Sequence, residues 1–301
     1  MAVRDLLLRG DLGLTPSEEK IVRQILAEFP AAALGTVSGL ARKSGVSDPT
    51  VVRLVAKLGY DSFAAFQAAV LAEIEARLHS PLQMLESRRG QSERGDAFSD
   101  YISSAAFALS RSGEGTPAQS FERACRMLAE TKGRIHVIGG RFSRNIALIL
   151  AGYLAHLRPG VVALPPLSAQ EFDLLADIGR NDVIVAFDYR RYQLDVMSFV
   201  RDGVAAGARL ILFTDQWLSP LEDSADVALV SQTEVNSPFD TLVPALAQVE
   251  AIVTRMLDIM GEGAASRMER IEELRDRRQI TLNQSSGAAG TGSPLPEDRS
   301  L

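Results

Sequence analysis

The sequence predicts an α/β protein in two parts, an N-terminal all-α domain followed by an α/β/α unit with a parallel sheet. Three observations predict this. Apolar residues recur at helical spacing through the first 80 residues. From residue 134 onward, short apolar runs alternate with helical patterns, as they do when parallel strands are joined by crossover helices. Between the two lies ESRRGQSERGD (Glu86–Asp96), a polar stretch with almost nothing to bury. The expected boundaries are a helical domain over 1–80, a linker and connecting helix over 81–118, the α/β domain over 119–280 and a disordered tail over 281–301, where the composition is small, polar and rich in Pro and Gly.

The first element opens at Leu14-Thr15-Pro16-Ser17-Glu18: Thr15 is the N-cap, Pro16 sits at N1, and Glu18 completes a capping box. Ile21, Ile25 and Leu26 supply its buried face. Next, Val37, Leu40 and Ala41 mark a short helix that Ser44-Gly45 ends, because glycine takes the left-handed conformation a helix stop needs. Val46 plugs the turn, Ser47 is the next N-cap, and Pro49 is tolerated in the first turn. Val51, Leu54, Val55 and Leu58 form the core stripe of that second helix, with Thr50, Arg53 and Lys57 expected on the opposite side. Gly59-Tyr60 stops it, and an amphipathic helix with Phe63, Phe66, Val70, Leu71 and Ile74 follows.

Two such helices around a Ser-Gly-Val turn describe a helix-turn-helix, whose second helix enters the major groove of DNA. A plain helical hairpin has the same periodicity, but charge favours DNA. Residues 36–58 carry Arg42, Lys43, Arg53 and Lys57 against Asp48 alone, in a chain whose net charge is −6. Thr36, Lys43, Ser47, Thr50, Arg53 and Lys57 are the candidate DNA contacts, with Thr50 and Arg53 reaching base edges and the two lysines reaching phosphates.

The run LTPSEEKIVRQIL … VSGLARKSGVSDPTVVRLVAKLGYDSFAAFQ resembles the N-terminal domain of RpiR/MurR-type transcriptional regulators. The signature S-x-x-T-V-x-R-x-x-x-K-L-G-Y is matched at Ser47, Thr50, Val51, Arg53, Lys57, Leu58, Gly59 and Tyr60, while Pro49 stands where a small residue is common. The resemblance extends over roughly residues 10–280 and implies that the α/β domain is a sugar isomerase (SIS) domain.

Strands are expected at 134–139, 160–165, 182–187, 209–213 and 225–230. Ligands of such sheets bind at the carboxyl ends of the strands, so loops 139–143, 188–192 and 214–219 should meet at one crevice. Gly139-Gly140-Arg141-Phe142-Ser143 is not a dinucleotide fingerprint, and a tight strand-to-helix turn explains its glycines equally well. The resemblance implies a serine- and threonine-rich phosphate cradle after the third strand. This chain has Asp188-Tyr189-Arg190-Arg191-Tyr192 there instead. Arginine forks pair bidentately with carboxylate or phosphate, which makes Gly140, Arg141, Ser143, Asp188, Arg190 and Arg191 the candidate effector contacts, with one of the adjacent arginines turned inward. The bland alternative is a structural Asp188–Arg190 ion pair and a closed pocket.

These features together point to a regulator, a repressor in particular, that binds an operator in double-stranded DNA and responds to a small anionic metabolite, a phosphosugar or carboxylate. A homodimer or homotetramer is expected, because one helix-turn-helix touches few bases. Helix 242–260 and the helices flanking Phe98 are candidates for the subunit contact. Two rivals stay open: a sugar-phosphate isomerase, and a DNA-binding protein whose SIS domain is a ligand-free dimerisation module. No catalytic residue is assigned; His136 lies in a strand and His156 on a helix, and Glu171, Asp188 and Glu250 form no paired constellation. One cysteine, Cys125 in a helical pattern, excludes an intrachain disulfide and points to the reducing cytoplasm. With three histidines no metal site or cofactor is expected, and neither a signal peptide nor a membrane span is.

Overall fold

The computed structural model describes residues 3–8, 12–78, 85 and 96–280. The expected linker, apart from Asp96, and the expected tail at 281–301 lie outside the described residues. In the N-terminal unit, α1 (Val3–Leu8), α2 (Pro16–Ala27), α3 (Val37–Ser44), α4 (Asp48–Lys57) and α5 (Phe63–Leu78) enclose one core. Ile21, Ile25, Leu40, Val51, Leu54, Phe66 and Val70 are buried in it. The capping box of α2 forms as its sequence dictates, with Thr15 N–H donating to Glu18 Oε2 at 2.8 Å. Gly45 ends α3 at φ 65°, the left-handed region its position requires. Helix α1 is not anticipated by the sequence reading, yet its Val3 and Leu7 are buried against the same core.

The second unit opens with α6 (Ala97–Gly115) and α7 (Ala118–Glu130). There follow β1 (Ile135–Gly139), α8 (Arg144–Leu157), β2 (Val161–Ala163), a short α9 (Ala169–Asp173), β3 (Val183–Phe187), α10 (Leu194–Ala205), β4 (Arg209–Asp215), β5 (Val227–Ser231), α11 (Val243–Met260) and α12 (Glu262–Arg277). All neighbouring strands pair in parallel, in the order β2-β1-β3-β4-β5. Side-chain alternation divides the sheet's two faces. Ile135, Val137, Val183, Val185 and Phe187 pack on α7, α8 and α11, whereas Ile138, Ile184, Ala186, Leu210 and Leu212 pack on the α10 side. Both faces are covered, so β3 is apolar throughout. After β1 the chain runs outward to β2, then returns to place β3 on the other flank of β1. That reversal is a topological switch point, and it gathers the loops after β1 and β3 at the carboxyl ends of those strands, where such folds bind ligands.

Of the two candidates for a subunit contact, the structure removes one. The apolar stripe of α11 is core: Val249, Ile252 and Met256 are fully buried against the sheet, so they cannot form a subunit contact. Helix α6 packs on β5 and α11, with Ala105 and Ala108 against Val235, and leaves Phe98, Ile102, Phe107 and Leu109 exposed. Cys125 is buried in the core, where burial pushes its thiol up to about 11. Among the described residues no helix is long and apolar enough to cross a membrane, and no group of three or more His, Cys, Asp or Glu side chains is placed to hold a metal.

Candidate functional site

Two places carry chemistry, the outer face of α4 and the crevice at the switch point. On α4 the buried stripe is Thr50, Val51, Leu54 and Val55. The outward stripe is Pro49, Val52, Arg53 and Ala56, at the i, i+3, i+4, i+7 spacing of one helix face. Arg53 is exposed, and its Nη2 donates to Thr50 Oγ1 at 3.3 Å. Thr50 itself is turned inward, contrary to its expected outer position. It is 8% exposed, and its hydroxyl also bonds Ser47 Oγ at 2.9 Å. Ser47 is at the N-cap position, but its side chain caps no backbone N–H. Thr36 does cap α3, accepting from Gly39 N–H at 3.0 Å.

The two lysines are not free phosphate contacts. Lys57 Nζ donates to Glu18 Oε2 at 3.0 Å and to Gly13 O at 2.8 Å, fastening α4 to the capping box of α2. The Thr15 N–H bond and then Lys57 hold the Glu18 carboxyl below the usual range. Lys43 pairs with Glu28 at 2.5 Å, with both side chains about half exposed.

In the crevice the three predicted loops do meet. Ser143 Oγ donates to Phe187 O at 2.7 Å and accepts from Gly140 N–H at 3.0 Å, so the first loop closes on the end of β3. The Arg141 backbone N–H donates to Gln193 Oε1 at 3.0 Å, while its guanidinium lies exposed over the Phe142 ring. Asp188 is buried; its Oδ2 accepts from Ser219 Oγ at 2.5 Å and its Oδ1 from Gln193 N–H at 3.4 Å. Asp215 accepts from the N–H groups of Arg190 and Trp217 and from Tyr192 Oη.

The adjacent arginines part company: the Arg190 side chain is 4% exposed, and Arg191 faces solvent. Arg190 does not pair with Asp188. It binds Asp240 with a bidentate fork, Nε to Oδ2 at 2.9 Å and Nη2 to Oδ1 at 2.5 Å, and its guanidinium lies 4.4 Å from the Trp217 ring centroid. Sequence reasoning missed Asp240, which arrives from the loop between β5 and α11. It also missed Gln193, whose side chain bridges the first two loops. The isomerase candidates disperse: Glu171 closes the capping box of α9, Glu250 is exposed, His136 is buried in β1, and His156 accepts from Arg275 at 2.6 Å.

The helix-turn-helix domain model of the rpiR family matches residues 4–77, and the SIS domain model matches residues 127–255. The chain belongs to the RpiR family of transcriptional regulators. A helix-turn-helix-type transcriptional regulator of Clostridium perfringens, itself uncharacterised, is 24% identical over 242 residues, 80% of this chain and 85% of that protein. The fold is shared with the sugar isomerase domain of an RpiR transcription factor from Sphaerobacter thermophilus, at TM-score 0.56 and 20% identity over 60% of this chain and 99% of that one. It is shared also with Vibrio vulnificus NanR, solved in complex with ManNAc-6P, at TM-score 0.55 and 18% identity over 92% and 100% of the two chains. With its helix-turn-helix, this RpiR-family chain is a regulator and not an enzyme.

The crevice of this RpiR-family protein has a titration of its own. Burial raises the Asp188 carboxyl to about 6, against the opposing bond from Ser219. Between the unfolded value near 3.8 and the folded value near 6, the native state holds more protons than the unfolded chain. Stability therefore falls as pH rises through that window, and above it Asp188 costs on the order of 2–3 kcal/mol. Asp188→Asn is expected to raise the melting temperature at pH 8, with the gain shrinking toward pH 5. Thermal melts across that range check it; a gain independent of pH would mean that Asp188 does not titrate there.

Proposed function

We propose that the chain is a cytoplasmic repressor that binds operator DNA as a homodimer or homotetramer and is controlled by a small anionic metabolite, a phosphosugar or carboxylate, in the switch-point crevice. The observation that carries this reading is the joining, in one chain, of an outward recognition stripe around Arg53 to a crevice built around the buried Arg190. Arg53 is the base-reading residue, and Thr36 and Ser47 lie at helix N-termini, where backbone N–H groups suit phosphates. Lys43 joins them once it leaves Glu28. At the crevice, Arg190 is the anion's partner, Asp188 and the Gly140–Ser143 loop form the wall, and Arg141 and Arg191 stand on the rim. The exposed apolar side chains of α6 supply the subunit contact, and that helix goes with the ligand-binding domain. NanR's complex with ManNAc-6P supports a phosphosugar as the first class to try.

Control follows by linkage, since a ligand that prefers one arrangement of the recognition helices shifts the protein toward it. The internal pairing of Gly140, Ser143 and Gln193 favours a second reading, in which the crevice is closed and the domain only assembles subunits. Thermal shift of the full chain against panels of phosphosugars and carboxylates separates the two, because a ligand stabilises the state it binds. A hit should then change affinity for a duplex enriched by selection from a random pool. A hit that leaves DNA affinity unchanged removes the effector role, and no hit in either panel supports the closed crevice.

A further inference from the structure

The opposite end of the sheet carries an unassigned concavity. The loops before β1, after α8 and before β3 border an open depression of about 780 Å³, lined by Lys132, Arg134, Arg158, Arg180, Asp177 and Asp182 among others. It lies a strand's length, about 17 Å, from the effector crevice. Arg158 forms part of its lining and is 9% exposed. Among the described residues its guanidinium donates to three carbonyls: Nη1 to Leu128 O at 2.7 Å, Nη2 to Gly133 O at 3.1 Å and Nε to Pro159 O at 3.2 Å. Carbonyls satisfy the donors without neutralising the charge, and a buried cation without a counter-charge is costly. Burial accordingly lowers the Arg158 guanidinium from its ordinary value.

Lys132, Arg134 and Arg180 on the rim are exposed, and among the described residues none forms an ion pair. Elsewhere in the same domain, arginines find acids: Arg123 with Asp226 at 3.3 Å, Arg126 with Glu122 at 3.0 Å and Arg255 with Glu122 at 2.9 Å. Asp182 does little for the rim side chains, because its two oxygens accept the backbone N–H groups of Arg134 at 2.7 Å and Gly179 at 2.9 Å. The concavity thus gathers four cations against two carboxylates, on a chain whose net charge is −6.

We propose that this edge of the sheet is a second anion site, taking a phosphate-bearing ligand through Arg134, Arg158, Arg180 and Lys132. Arginine forks match phosphate oxygens in pairs, and a phosphate dianion balances the local excess of two. The depression is open, so a phosphorylated metabolite would lay its phosphate along the cations and keep the rest toward solvent. The phosphodiester backbone of bound DNA offers the same chemistry, and the test distinguishes the two sources.

Calorimetry on the full chain at low salt, with inorganic pyrophosphate as the probe, compares the parent with Arg134→Glu/Arg180→Glu. Both positions are exposed, and circular dichroism melts confirm folding. Arg270→Glu/Arg277→Glu, both on exposed positions of α12, makes the same change in net charge elsewhere. The expected result is pyrophosphate binding weakened about tenfold or more in the first variant and unchanged in the control, as the loss of two charge-assisted contacts requires. Each protein is then titrated with a random-sequence duplex of about 40 base pairs, long enough for two half-sites. Unchanged duplex affinity and salt slope assign the site to a small ligand; a fall in both for the first variant alone assigns it to DNA phosphates. The proposal is overturned if the rim variant matches the parent and control in both titrations, or if it weakens no more than the control.

Discussion

Replacing Arg53 by Ala should lower affinity for the preferred duplex by about 1–3 kcal/mol, roughly fivefold to 150-fold, and leave binding to random duplex nearly unchanged. The expectation follows from what the outward face of α4 offers. Pro49, Val52 and Ala56 carry no side-chain hydrogen-bond donor, so Arg53 is the one residue of that stripe able to donate to a base edge. Its bond to Thr50 braces the guanidinium from below, so Thr50 acts through Arg53 and not on the base. If Arg53 reads a base, Val52, 49% exposed beside it on the same face, is expected to meet a neighbouring thymine methyl. Lys57→Ala should behave differently. Loss of its bonds to Glu18 and Gly13 loosens α4 from α2, so the change appears as a lower melting temperature with a salt slope like the parent's. Fluorescence anisotropy at matched salt, with the selected and the random duplex side by side, separates these outcomes. If Arg53→Ala discriminates between the duplexes as well as the parent does, the outer face of α4 is not the recognition surface.

The division between what the sequence reveals and what it hides follows the range of the interactions. Helix caps, the Gly45 stop and the alternation of strands with helices are local, and each stands where its residues dictate. The inward turn of Thr50 was also legible, since it lies four residues before Leu54 and so on the same helical stripe. Polarity alone is a poor guide to facing in the first turn, where a Ser-Thr pair can satisfy itself. Helix α1 is not legible in the sequence because six residues, VRDLLL, give too short a window for periodicity to register. The α11 stripe was ambiguous for another reason: a core helix and a subunit contact demand the same spacing. Pairs between residues far apart in sequence are hidden most. Lys57 meets Glu18 and Arg190 meets Asp240 across long stretches of chain, and nothing in either local sequence marks the partner. Arg158 is similar, because only the fold reveals that its neighbours are carbonyls.

Asp240→Ala is expected to destabilise the α/β domain by about 3 kcal/mol, the lower end of the cost of breaking a buried ion pair. The lower end applies because Asp240 keeps 21% of its side chain exposed, so water reaches part of the vacated space. Arg190, 4% exposed and held against Trp217, cannot follow the solvent out. Most of the cost is thus a charge left without its carboxylate, and Asp240→Ala/Arg190→Leu should recover much of the lost stability by removing that charge. Thermal melts of the parent and both variants test this. A double variant less stable than Asp240→Ala would show that Arg190 contributes mainly through its packing. The same vacancy bears on the effector. The Asp240 carboxylate occupies the fork that an anionic metabolite would use, so it acts as an internal competitor. In Asp240→Ala, millimolar acetate or phosphate should therefore raise the melting temperature, with no such gain in the double variant. An anion that stabilises both alike is acting elsewhere on the surface, and the arginine fork then loses its place in effector recognition.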